Sequence, residues 1–418
     1  MRPTESTDIL VIGAGAAGMT AAFTAALRGR KVLLLEGGAR TGRKLLATGN
    51  GRCNFTNLEI DAKRFNEESR ELVTAVLSQF SEKDALSFFD GLGIPAVARE
   101  GGYIYPRSRQ AAAVRNALQA ALERSGVSIH TEKKVLDLQL HKKGFLVICA
   151  DDSCFFARCV ILAAGGQALP GTGSDGSGYR LASSLGHRIR PVVPALVPLI
   201  CREKRFRALS GVRVEGEVVL SVDGRPAVRD RGELQLTEYG ISGIPVFQVS
   251  RAAARALEAG QAVTAHLDFW PEETPELLSH RLKHRAERFN GEPASFLLCG
   301  MLPDKLAGSL LKESGIAEKL PCGELSGHQL LRLTEIIKSL FCTVTSTRGF
   351  EYAQVCSGGV VTEEIDPQTL QSRLIPGLYF AGEIIDVDGP CGGYNLQWAW
   401  SCGHVAGAAA AAADFAWS

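Results

Sequence analysis

The sequence lacks both a long hydrophobic run and an excess of charge of either sign. Its 418 residues contain 46 Lys and Arg against 45 Asp and Glu, which gives a net charge of +1. Proteins that bind nucleic acid through a general basic field carry a clear positive excess, so no nucleic-acid partner is predicted. The alanine-rich stretch 406–413 is too short and too weakly hydrophobic to span a membrane. Residues 1–7 are polar and lack the apolar stretch of a signal peptide, so we expect a cytoplasmic protein.

The cysteines include no CxxC pair, and their number, eleven, is odd. Scattered spacing of this kind fits reduced thiols in the cytosol better than a disulfide framework. Cys149, Cys154 and Cys159 lie in an apolar stretch and are interpreted as small buried side chains on or between strands. No histidine-rich cluster accompanies them, and the sequence predicts no metal site.

A short apolar run, residues 8–12 (DILVI), leads directly into the sequence GAGAAG. The run predicts a buried parallel strand, and the residues after it predict a helix. In such a unit Gly13 allows the tight turn, Gly15 lets a pyrophosphate approach the helix N-terminus, and Gly18 lets helix and strand pack closely. Glu36, at the end of the next strand, suits the ribose hydroxyls of an adenine nucleotide and argues against a 2′-phosphate there. The sequence therefore predicts a dinucleotide-binding site.

Two later segments favour FAD over NAD. Residues 378–383 (LYFAGE) resemble the second FAD fingerprint of two-dinucleotide-domain flavoproteins, with Glu383 where aspartate is usual. Residues 160–166 (VILAAGG) resemble the "ATG" strand of the same proteins. This resemblance implies that Glu383 meets the ribityl and phosphate region of the cofactor. FAD is therefore the predicted resident cofactor.

A longer and more specific resemblance covers the whole chain. Residues 41–57 (TGRKLLATGNGRCNFTN) and 386–397 (DVDGPCGGYNLQ) resemble the bacterial YhiN/BaiN-like flavoprotein family, which includes a bile-acid double-bond reductase and an aminoacetone oxidase. The resemblance implies that the loop 48–54 lies along the flavin near its reactive edge and that residues 392–397 lie near the pyrimidine end. A helix that begins there would direct its N-terminus at that end and favour negative charge on it.

The motifs and the resemblance together give one set of predicted cofactor-binding residues. Arg43 and Lys44 are expected to counter the pyrophosphate charge, with solvated loop cations as the alternative. Cys53 is expected to pack structurally, because the CxxxxC pair of disulfide reductases is missing. The full set is Gly13, Gly15, Ala16, Ala17, Gly18, Glu36, Gly37, Arg43, Lys44, Thr48, Gly49, Asn50, Gly51, Cys53, Asn54, Ala164, Gly165, Gly382, Glu383, Gly392, Gly393, Tyr394, Asn395, Leu396 and Gln397.

The reduction of a double bond conjugated to a carbonyl also requires catalytic residues. One carbon receives a hydride, the other receives a proton, and the carbonyl needs a hydrogen-bond donor. Tyr394 is the candidate catalytic residue for the proton or the carbonyl contact, with packing against the flavin as its alternative role. Tyr103, Tyr105 and Arg107 offer similar groups, although the sequence does not place them.

Residues 171–176 form a second literal GxGxxG, but no strand leads directly into it and no acidic residue closes a βαβ unit. It is interpreted as a loop of the flavin domain. NADH or NADPH is therefore expected as a transient reductant without a domain of its own. Two positions depart from the family pattern, since Ser177 stands where aspartate is usual and Cys356 where threonine is common.

Three prolines between residues 191 and 198 mark a change in the character of the chain. The predicted fold class is α/β, with a Rossmann-like FAD-binding domain of the two-dinucleotide-domain flavoprotein type. An insert with a small β part and a helical part interrupts this domain. The expected boundaries are 1–195 and 344–418 for the FAD-binding domain and 196–343 for the insert, with a β part at about 196–272 and a helical part at about 273–340.

The function expected from these features is that of an FAD-dependent oxidoreductase. The first hypothesis is NAD(P)H-driven reduction of a conjugated C=C bond in a hydrophobic enone, with a steroid or bile-acid-like substrate implied by the family resemblance alone. The second is an FAD-dependent oxidase of a small amine or aminoketone that produces hydrogen peroxide. The third is a flavin-containing module that binds RNA or a protein. The oligomeric state stays open.

Overall fold

The computed structural model describes residues 3–141 and 143–413, so the last five residues of the predicted 344–418 segment lie outside the described residues. The chain divides into two compact units, one formed by 1–192 with 355–418 and the other by 193–354. The second unit extends beyond the predicted end at residue 343, because a strand that runs past that point belongs to its barrel.

The first unit begins with the expected strand–helix–strand and continues with alternating helices and strands. Its elements up to the insert are β1 (Glu5–Ile12), α1 (Ala16–Ala26), β2 (Val32–Leu35), α2 (Arg43–Ala47), β3 (Thr56–Asn57), α3 (Arg70–Gln79), α4 (Glu82–Gly91), β4 (Ala96–Ala98), β5 (Tyr103–Pro106), α5 (Ala111–Arg124), β6 (Ser128–His130), β7 (Val135–His141), β8 (Gly144–Cys149), β9 (Cys154–Leu162), α6 (Ser177–Ser184) and β10 (Ile189–Ala195).

The rest of the chain adds a barrel with helices and then returns to the first unit. The elements are β11 (Leu199–Cys201), β12 (Arg213–Val222), β13 (Arg225–Thr237), β14 (Gly240–Gly243), α7 (Ile244–Glu258), β15 (Val263–Asp268), α8 (Pro275–Arg288), α9 (Ala294–Leu297), α10 (Asp304–Glu313), α11 (Gly327–Lys338), β16 (Leu340–Thr347), β17 (Val355–Val360), β18 (Leu378–Phe380) and α12 (Tyr394–Ala412).

A seven-stranded sheet forms the centre of the first unit, in the order β6-β2-β1-β9-β8-β7 with β18 also paired to β9. Strand β1 lies between two parallel neighbours, with Ile9 opposite Val32 on one side and Cys159 on the other. Residues on both faces of β1 and β2 are buried, which explains why these strands read as continuous apolar runs. Parallel pairing brings the carboxyl ends of β1, β2, β9 and β18 to one edge.

The last helix, α12, packs directly on α1. A Cβ placed at Gly403 would fall 2.5 Å from the carbonyl oxygen of Ala17, and one at Gly407 would fall 2.4 Å from that of Ala21. Only glycine permits so close an approach of the two backbones. This contact fixes the N-terminus of α12 relative to the glycine-rich turn that precedes α1.

The second unit contains a closed six-stranded barrel in the order β11-β14-β13-β12-β15-β16. The predicted β part, 196–272, also contains the fifteen-residue helix α7, whose buried face packs against β13 and β12. Helices α8 to α11 occupy the predicted helical part. Strand β16 pairs with β15 and β11 and continues to Thr347, which explains why the unit extends to residue 354. Within the described parts of the chain, no helix has both the length and the apolar character that a membrane span requires.

Candidate functional site

The glycines of the first turn are required for different reasons. Gly13 has a φ of +102°, and a Cβ there would fall 2.5 Å from the carbonyl oxygen of Ala163. A Cβ at Gly18 would fall 1.9 Å from the carbonyl oxygen of Gly13. At Gly15 an added Cβ would meet no protein atom within 4 Å. The fold itself therefore needs Gly13 and Gly18, whereas Gly15 leaves open space at the N-terminus of α1, where a pyrophosphate binds in proteins with this turn.

Glu36 follows β2 and lies beside this turn. Its Oε2 accepts a hydrogen bond from the Ala14 N–H at 3.0 Å, and its Oε1 accepts one from the Gly38 N–H at 2.8 Å. A carboxylate has about four acceptor positions, so two remain for the hydroxyls of a ribose. The two backbone contacts fix the carboxylate in place, and the open space at Gly15 lies at the same turn. These residues fit the adenosine diphosphate part of FAD.

The second GxGxxG segment, 171–176, folds against the first. The Arg43 guanidinium donates to the Gly171 carbonyl at 2.6 Å, and a Cβ at Gly173 would lie 3.9 Å from Glu36 Oε1. Asp175 forms an ion pair with Lys134 at 2.6 Å. The segment is therefore a loop beside Glu36 and not the turn of another βαβ unit. Arg43 holds this loop, a contact that sequence reasoning did not foresee.

Lys44 and Glu383 form an ion pair of 2.5 Å in which both side chains are about four-fifths buried. The Cys356 N–H also donates to Glu383 Oε1 at 2.7 Å. A Cβ at Gly382 would lie 2.9 Å from the Cβ of Ala17, so the segment after β18 meets the beginning of α1. The predicted residues of the two FAD fingerprints are thus adjacent. Lys44 is partnered by Glu383, a contact that the sequence does not reveal.

Ala164 and Gly165 follow β9 and lie at the same end of the sheet. A Cβ at Gly13 would fall 3.0 Å from the Cα of Ala164. Gly165 has a φ of +74°, and a Cβ there would lie 3.2 Å from the Ser174 hydroxyl oxygen. Both residues therefore adjoin the first turn and the 171–176 loop. Gly37 lies over the Lys134 side chain, with 3.6 Å between its Cβ position and the Lys134 Cα.

The loop 48–54 is a tight turn that follows α2. Gly49, Asn50 and Gly51 have φ angles of +55°, +53° and +80°, so the backbone is left-handed over three successive residues. Asn50 is exposed although this conformation is uncommon for a residue other than glycine. The Thr48 hydroxyl donates to the Leu45 carbonyl at 2.6 Å, and Asn54 Oδ1 accepts from the Ile104 N–H at 3.2 Å. The turn therefore presents backbone groups and Asn50 at its surface.

Cys53 belongs to the same turn, but its side chain is fully buried. Burial raises the pKa of the Cys53 thiol to about 12, partly offset by a hydrogen bond with Thr48. A thiol with this pKa carries negligible thiolate at neutral pH, so it is a poor nucleophile. With no exposed surface, the Cys53 side chain packs inside the turn, so a cofactor contact by Cys53 is left to its backbone and stays a prediction.

The segment 392–397 approaches this turn through its glycines. Gly392 and Gly393 have φ angles of +113° and +97°. A Cβ at Gly392 would fall 2.5 Å from Tyr103 Cε1, and one at Gly393 would fall 2.4 Å from the Thr56 carbonyl oxygen. Helix α12 begins directly after these two glycines. The Gln397 N–H donates the first hydrogen bond of the helix to the Gly393 carbonyl. The expected helix N-terminus is therefore present.

Three predicted side chains of this segment have structural roles instead. Gln397 is fully buried, accepts from the Thr56 hydroxyl at 2.6 Å and donates to Ser401 at 2.9 Å. The Asn395 side chain accepts from the Gly389 N–H and donates to the Gly389 carbonyl, each at 2.9 Å, which closes the preceding loop. These hydrogen bonds give both side chains a structural role, and their contacts with the cofactor stay a prediction. Leu396 is half-buried and packs against the core of the first unit.

Tyr394 is the third predicted side chain of this segment that has a structural role. Its side chain is 1% exposed, its ring lies 5.7 Å from that of Phe65, and its hydroxyl donates to the Glu59 carbonyl at 2.6 Å. Burial raises the pKa of Tyr394 above its ordinary value. A phenol that is buried and already donates its proton to the backbone is not positioned to deliver that proton to a substrate. The predicted catalytic role of Tyr394 is therefore not supported.

Tyr103 and Tyr105, which the sequence did not place, lie where the two segments meet. Burial alternates along β5, so both tyrosines are half-buried on one face while Ile104 and Pro106 are buried on the other. Tyr103 lies against Gly392, and Tyr105 Cε1 lies 3.7 Å from the Cβ position of Gly49. The sequence of residues 103–106 (YIYP) indicates a short strand, but it does not reveal which segments that strand adjoins.

Comparisons with known proteins agree with this architecture. The HI0933-like protein Rossmann domain family matches residues 7–409. The chain is 45% identical over 403 residues to the 3-dehydro-bile acid delta(4,6)-reductase of Clostridium scindens, covering 96% of this chain and 98% of that protein. It is 30% identical over 403 residues to the ribosomal RNA dihydrouridine synthase of Escherichia coli, covering 95% of this chain and 96% of that protein.

Solved structures show the same fold at lower identity. A 3-ketosteroid-delta4-(5alpha)-dehydrogenase from Rhodococcus jostii RHA1 aligns with a TM-score of 0.51 and 16% identity, over 98% of both chains. A flavocytochrome c3 fumarate reductase aligns with a TM-score of 0.51 and 18% identity, over 98% of this chain and 78% of that chain. The fold is the Rossmann-like FAD-binding fold, and the chain is an FAD-dependent oxidoreductase. By the family match and the near-complete coverage of its relatives, this chain belongs to the HI0933-like family, the one described above as YhiN/BaiN-like.

Proposed function

We propose that this protein reduces a C=C bond conjugated to a carbonyl in a hydrophobic, steroid-like enone, with NADH or NADPH as the reductant. The observation that carries the proposal is the 45% identity, over nearly the whole of both chains, to a 3-dehydro-bile acid delta(4,6)-reductase. The ribosomal RNA dihydrouridine synthase relatives are likewise named for a product in which a conjugated C=C bond is saturated. The shared reaction type supports reduction, and the higher identity favours the steroid class.

The proposed cofactor site follows the carboxyl edge of the central sheet. Gly15 and the N-terminus of α1 receive the pyrophosphate, and Glu36 receives the adenine ribose. The Lys44–Glu383 pair lies beside them at the ribityl region, where the cation offsets phosphate charge and the carboxylate accepts from hydroxyls. The backbone of the 48–51 turn and the N-terminus of α12 lie at the flavin ring. FAD, once bound and reduced by NADH or NADPH, would supply the hydride for the reaction.

The chain itself must supply the donor for the substrate carbonyl and the proton for the second carbon. We assign these tasks to the face of β5 that carries Tyr103 and Tyr105, since it lies between the 48–51 turn and Gly392. Both phenols are half-buried, so a substrate can reach them and still be shielded from bulk water. Tyr105 is the preferred donor because its ring adjoins Gly49 in the turn placed at the reactive edge.

NADH or NADPH is proposed to visit the site and leave before the enone enters. The only candidate for another nucleotide turn among the described residues, 171–176, is a loop packed on Glu36 and Arg43. A permanent nicotinamide domain therefore has no support in the described fold, which contains one βαβ turn of this kind. Alternate occupation of one site predicts that the nucleotide and the enone compete with each other.

Anaerobic stopped-flow spectroscopy of the FAD-loaded protein tests the proposal. NADH or NADPH should bleach the flavin absorbance, and a 3-oxo-4,6-diene steroid should restore it much faster than oxygen does. Bleaching by an aminoketone but by neither nucleotide would move the assignment to the oxidase alternative. Reoxidation by uridine-containing ribosomal RNA, but by no steroid, would keep the reaction type and replace the substrate.

A further inference from the structure

A cavity of about 480 Å³ lies in the first unit, between α5, β6 and the segment 39–41 that follows β2. Sites for small organic molecules have volumes of about 300–1,000 Å³. The lining of the cavity combines the cations Arg40 and Arg115, the carboxylate of Glu123 and the apolar side chains of Val127 and Ile129. Apolar walls with a few charged groups suit a molecule that has both a charged group and a ring.

Arg115 is held at the wall of this cavity by its neighbours. A Cβ at Gly42 would fall 2.6 Å from Arg115 Cγ, so the glycine gives room for the stem of the arginine. Arg115 Nη1 donates to Gln119 Oε1 at 3.0 Å, and the Thr41 hydroxyl donates to the same oxygen at 3.1 Å. Gln119 Nε2 in turn donates to Glu123 Oε1 at 3.0 Å. This chain of hydrogen bonds restricts the motion of the guanidinium.

The cavity has more positive than negative charge in its lining. Across residues 3–141 and 143–413, no carboxylate lies within 4 Å of the Arg40 or Arg115 guanidinium, and the buried Arg115 Nε has no hydrogen-bond partner. Glu123 is the one carboxylate among the described lining residues, and one of its oxygens already accepts from Gln119. Folded proteins rarely leave buried donors without acceptors. An anion in the cavity would offset the charge and accept from guanidinium N–H groups that the protein leaves without partners.

The cavity is distinct from the site assigned to the adenine ribose of FAD. Neither Glu36 nor its backbone partners, Ala14 and Gly38, lines it. The Gly38 carbonyl accepts from the Glu132 N–H at 3.0 Å, and the Glu36 N–H donates to the His130 carbonyl at 2.9 Å. These backbone contacts join the segments that follow β2 and β6. FAD bound at Glu36 would therefore leave the cavity open for a second ligand.

We propose that this cavity binds the adenosine 2′-phosphate end of NADPH, which makes NADPH and not NADH the reductant. A phosphate monoester carries up to two negative charges and three acceptor oxygens, which match the guanidinium groups of Arg40 and Arg115. The apolar walls at Val127 and Ile129 suit the adenine ring, and the second oxygen of Glu123 can accept from a hydroxyl or an amino group. A free phosphate ion offers the same charge but fills little of a cavity of this size. This inference rests on the proposed function, because it names the reductant of that reaction.

The position of the cavity allows the other end of the dinucleotide to reach the flavin. Gly42, which lies against Arg115, directly precedes α2, and the 48–51 turn directly follows it. Helix α2 has five residues and is about 8 Å long. Two riboses and a pyrophosphate separate the 2′-phosphate of NADPH from its nicotinamide, and together they span more than this length. NADPH can therefore place its phosphate at Arg115 and its nicotinamide at the turn assigned to the flavin ring.

Calorimetric titration of the oxidised, FAD-loaded protein tests the cavity without turnover, because bound FAD keeps the Glu36 site filled. The probes are adenosine 2′,5′-bisphosphate, adenosine 5′-monophosphate and inorganic phosphate. The bisphosphate should bind more tightly than the other two, and Arg40→Gln or Arg115→Gln should raise its Kd about tenfold, as expected for the loss of a charge-assisted hydrogen bond. Arg124→Gln, at an exposed arginine of α5 outside the cavity, is the matched control and should leave every Kd unchanged.

Stopped-flow reduction of the flavin gives a second measurement. The NADPH concentration that gives half of the maximal bleaching rate should rise about tenfold in Arg40→Gln and Arg115→Gln. NADH lacks the 2′-phosphate, so the concentration that it requires should be the same in both variants as in wild type.

Three results would overturn the proposal. They are equal affinities for the bisphosphate and the monophosphate in wild type, a bisphosphate Kd within twofold of wild type in both variants, and inorganic phosphate bound as tightly as the bisphosphate. The last would assign the cavity to a free anion. Should Arg115→Gln fail to fold, Arg40→Gln alone decides, because Arg40 is exposed and its replacement disturbs no packing. Enone reduction with NADH as efficient as with NADPH would count only against this inference, whereas tight bisphosphate binding without any enone turnover would count only against the proposed function.

Discussion

At the scale of single residues, the glycines of the first turn distinguish the needs of the fold from those of the cofactor. Gly13 and Gly18 are enclosed by backbone atoms, so a side chain at either position would displace the protein itself. Gly15 has an ordinary negative φ of −79° and no protein atom near its Cβ position. A glycine that the protein does not need for its own packing is explained by a ligand that comes close to the backbone.

The first prediction is that Gly15→Val removes FAD and leaves the apoprotein folded. An added Cβ at Gly15 meets no protein atom within 4 Å, so we expect the valine side chain to enter the space assigned to the pyrophosphate without destabilising the fold. Flavin content after purification and the thermal midpoint of the apoprotein measure the two effects. Gly18→Val is the matched control, because its clash with the Gly13 carbonyl should lower the thermal midpoint as well. A Gly15→Val protein with full flavin content would contradict the placement of the pyrophosphate.

A second prediction at this scale concerns Glu36. Glu36→Ala removes the acceptor for the ribose and also the two anchors for the Ala14 and Gly38 N–H groups. FAD should dissociate more easily, by about ten- to a hundredfold in Kd, which corresponds to about 1–3 kcal/mol for unsatisfied polar groups. Fluorescence titration of the apoprotein with FAD measures the change. Glu36→Gln keeps one carbonyl acceptor, so its Kd for FAD should lie between those of wild type and Glu36→Ala. An unchanged Kd in the alanine variant would refute the adenine-end assignment.

At the scale of elements, the tyrosine at the start of α12 and the two tyrosines of β5 have different surroundings. Tyr394 donates to a buried carbonyl, whereas Tyr103 and Tyr105 share the half-buried face of a short strand. Tyr394→Phe should therefore lower the free energy of unfolding by about 1–3 kcal/mol, since the Glu59 carbonyl loses its partner. The rate of flavin reoxidation by the enone should stay near that of wild type. Urea unfolding and stopped-flow reoxidation measure the two quantities separately.

Tyr105 gives the opposite expectation, a slower reaction with unchanged stability. Tyr105→Phe should slow reoxidation of the bleached enzyme by the enone by about a hundredfold, in the range for loss of a general acid, while reduction by NAD(P)H is unaffected. The ring remains, so packing against the 48–51 turn and the unfolding free energy should be unchanged. A matching loss in Tyr103→Phe would indicate that the two hydroxyls share the task. Reoxidation at the wild-type rate in both variants would remove β5 from the reaction.

These elements also show how far sequence reasoning extends. The parallel strands and the turn at Gly13 follow from local patterns, because buried runs and glycine spacing reflect nearby backbone geometry. The partners of Lys44 and Arg43 lie 339 and 128 residues away along the chain, and no local pattern reports them. The same holds for Tyr394, whose hydrogen-bond acceptor lies 335 residues earlier. Long-range pairing thus decides which polar side chains are available for chemistry and which maintain the fold.

At the scale of the whole molecule, two histidines connect stability to pH. His187 is buried, with its Nε2 2.9 Å from the Ser372 hydroxyl and its Nδ1 3.1 Å from Glu364. Burial lowers the pKa of His187 below its ordinary value, and the Glu364 carboxylate only partly opposes this. His404 stacks on Phe80 at 4.4 Å, and burial and the charge of Arg28 lower its pKa as well. Both side chains are therefore neutral in the folded state at neutral pH.

The last prediction follows from this difference in proton binding. The unfolded chain protonates these histidines near pH 6.5, whereas the folded protein resists protonation until lower pH, so the unfolded state binds more protons in between. The stabilisation is complete above about pH 6.5 and declines as the pH falls toward the lowered folded values. Urea unfolding at saturating FAD should show a smaller unfolding free energy at about pH 5.5 than at about pH 8. In the double variant His187→Gln and His404→Gln this part of the pH dependence should disappear, and a slope as steep as in wild type would assign the effect to the carboxylates instead.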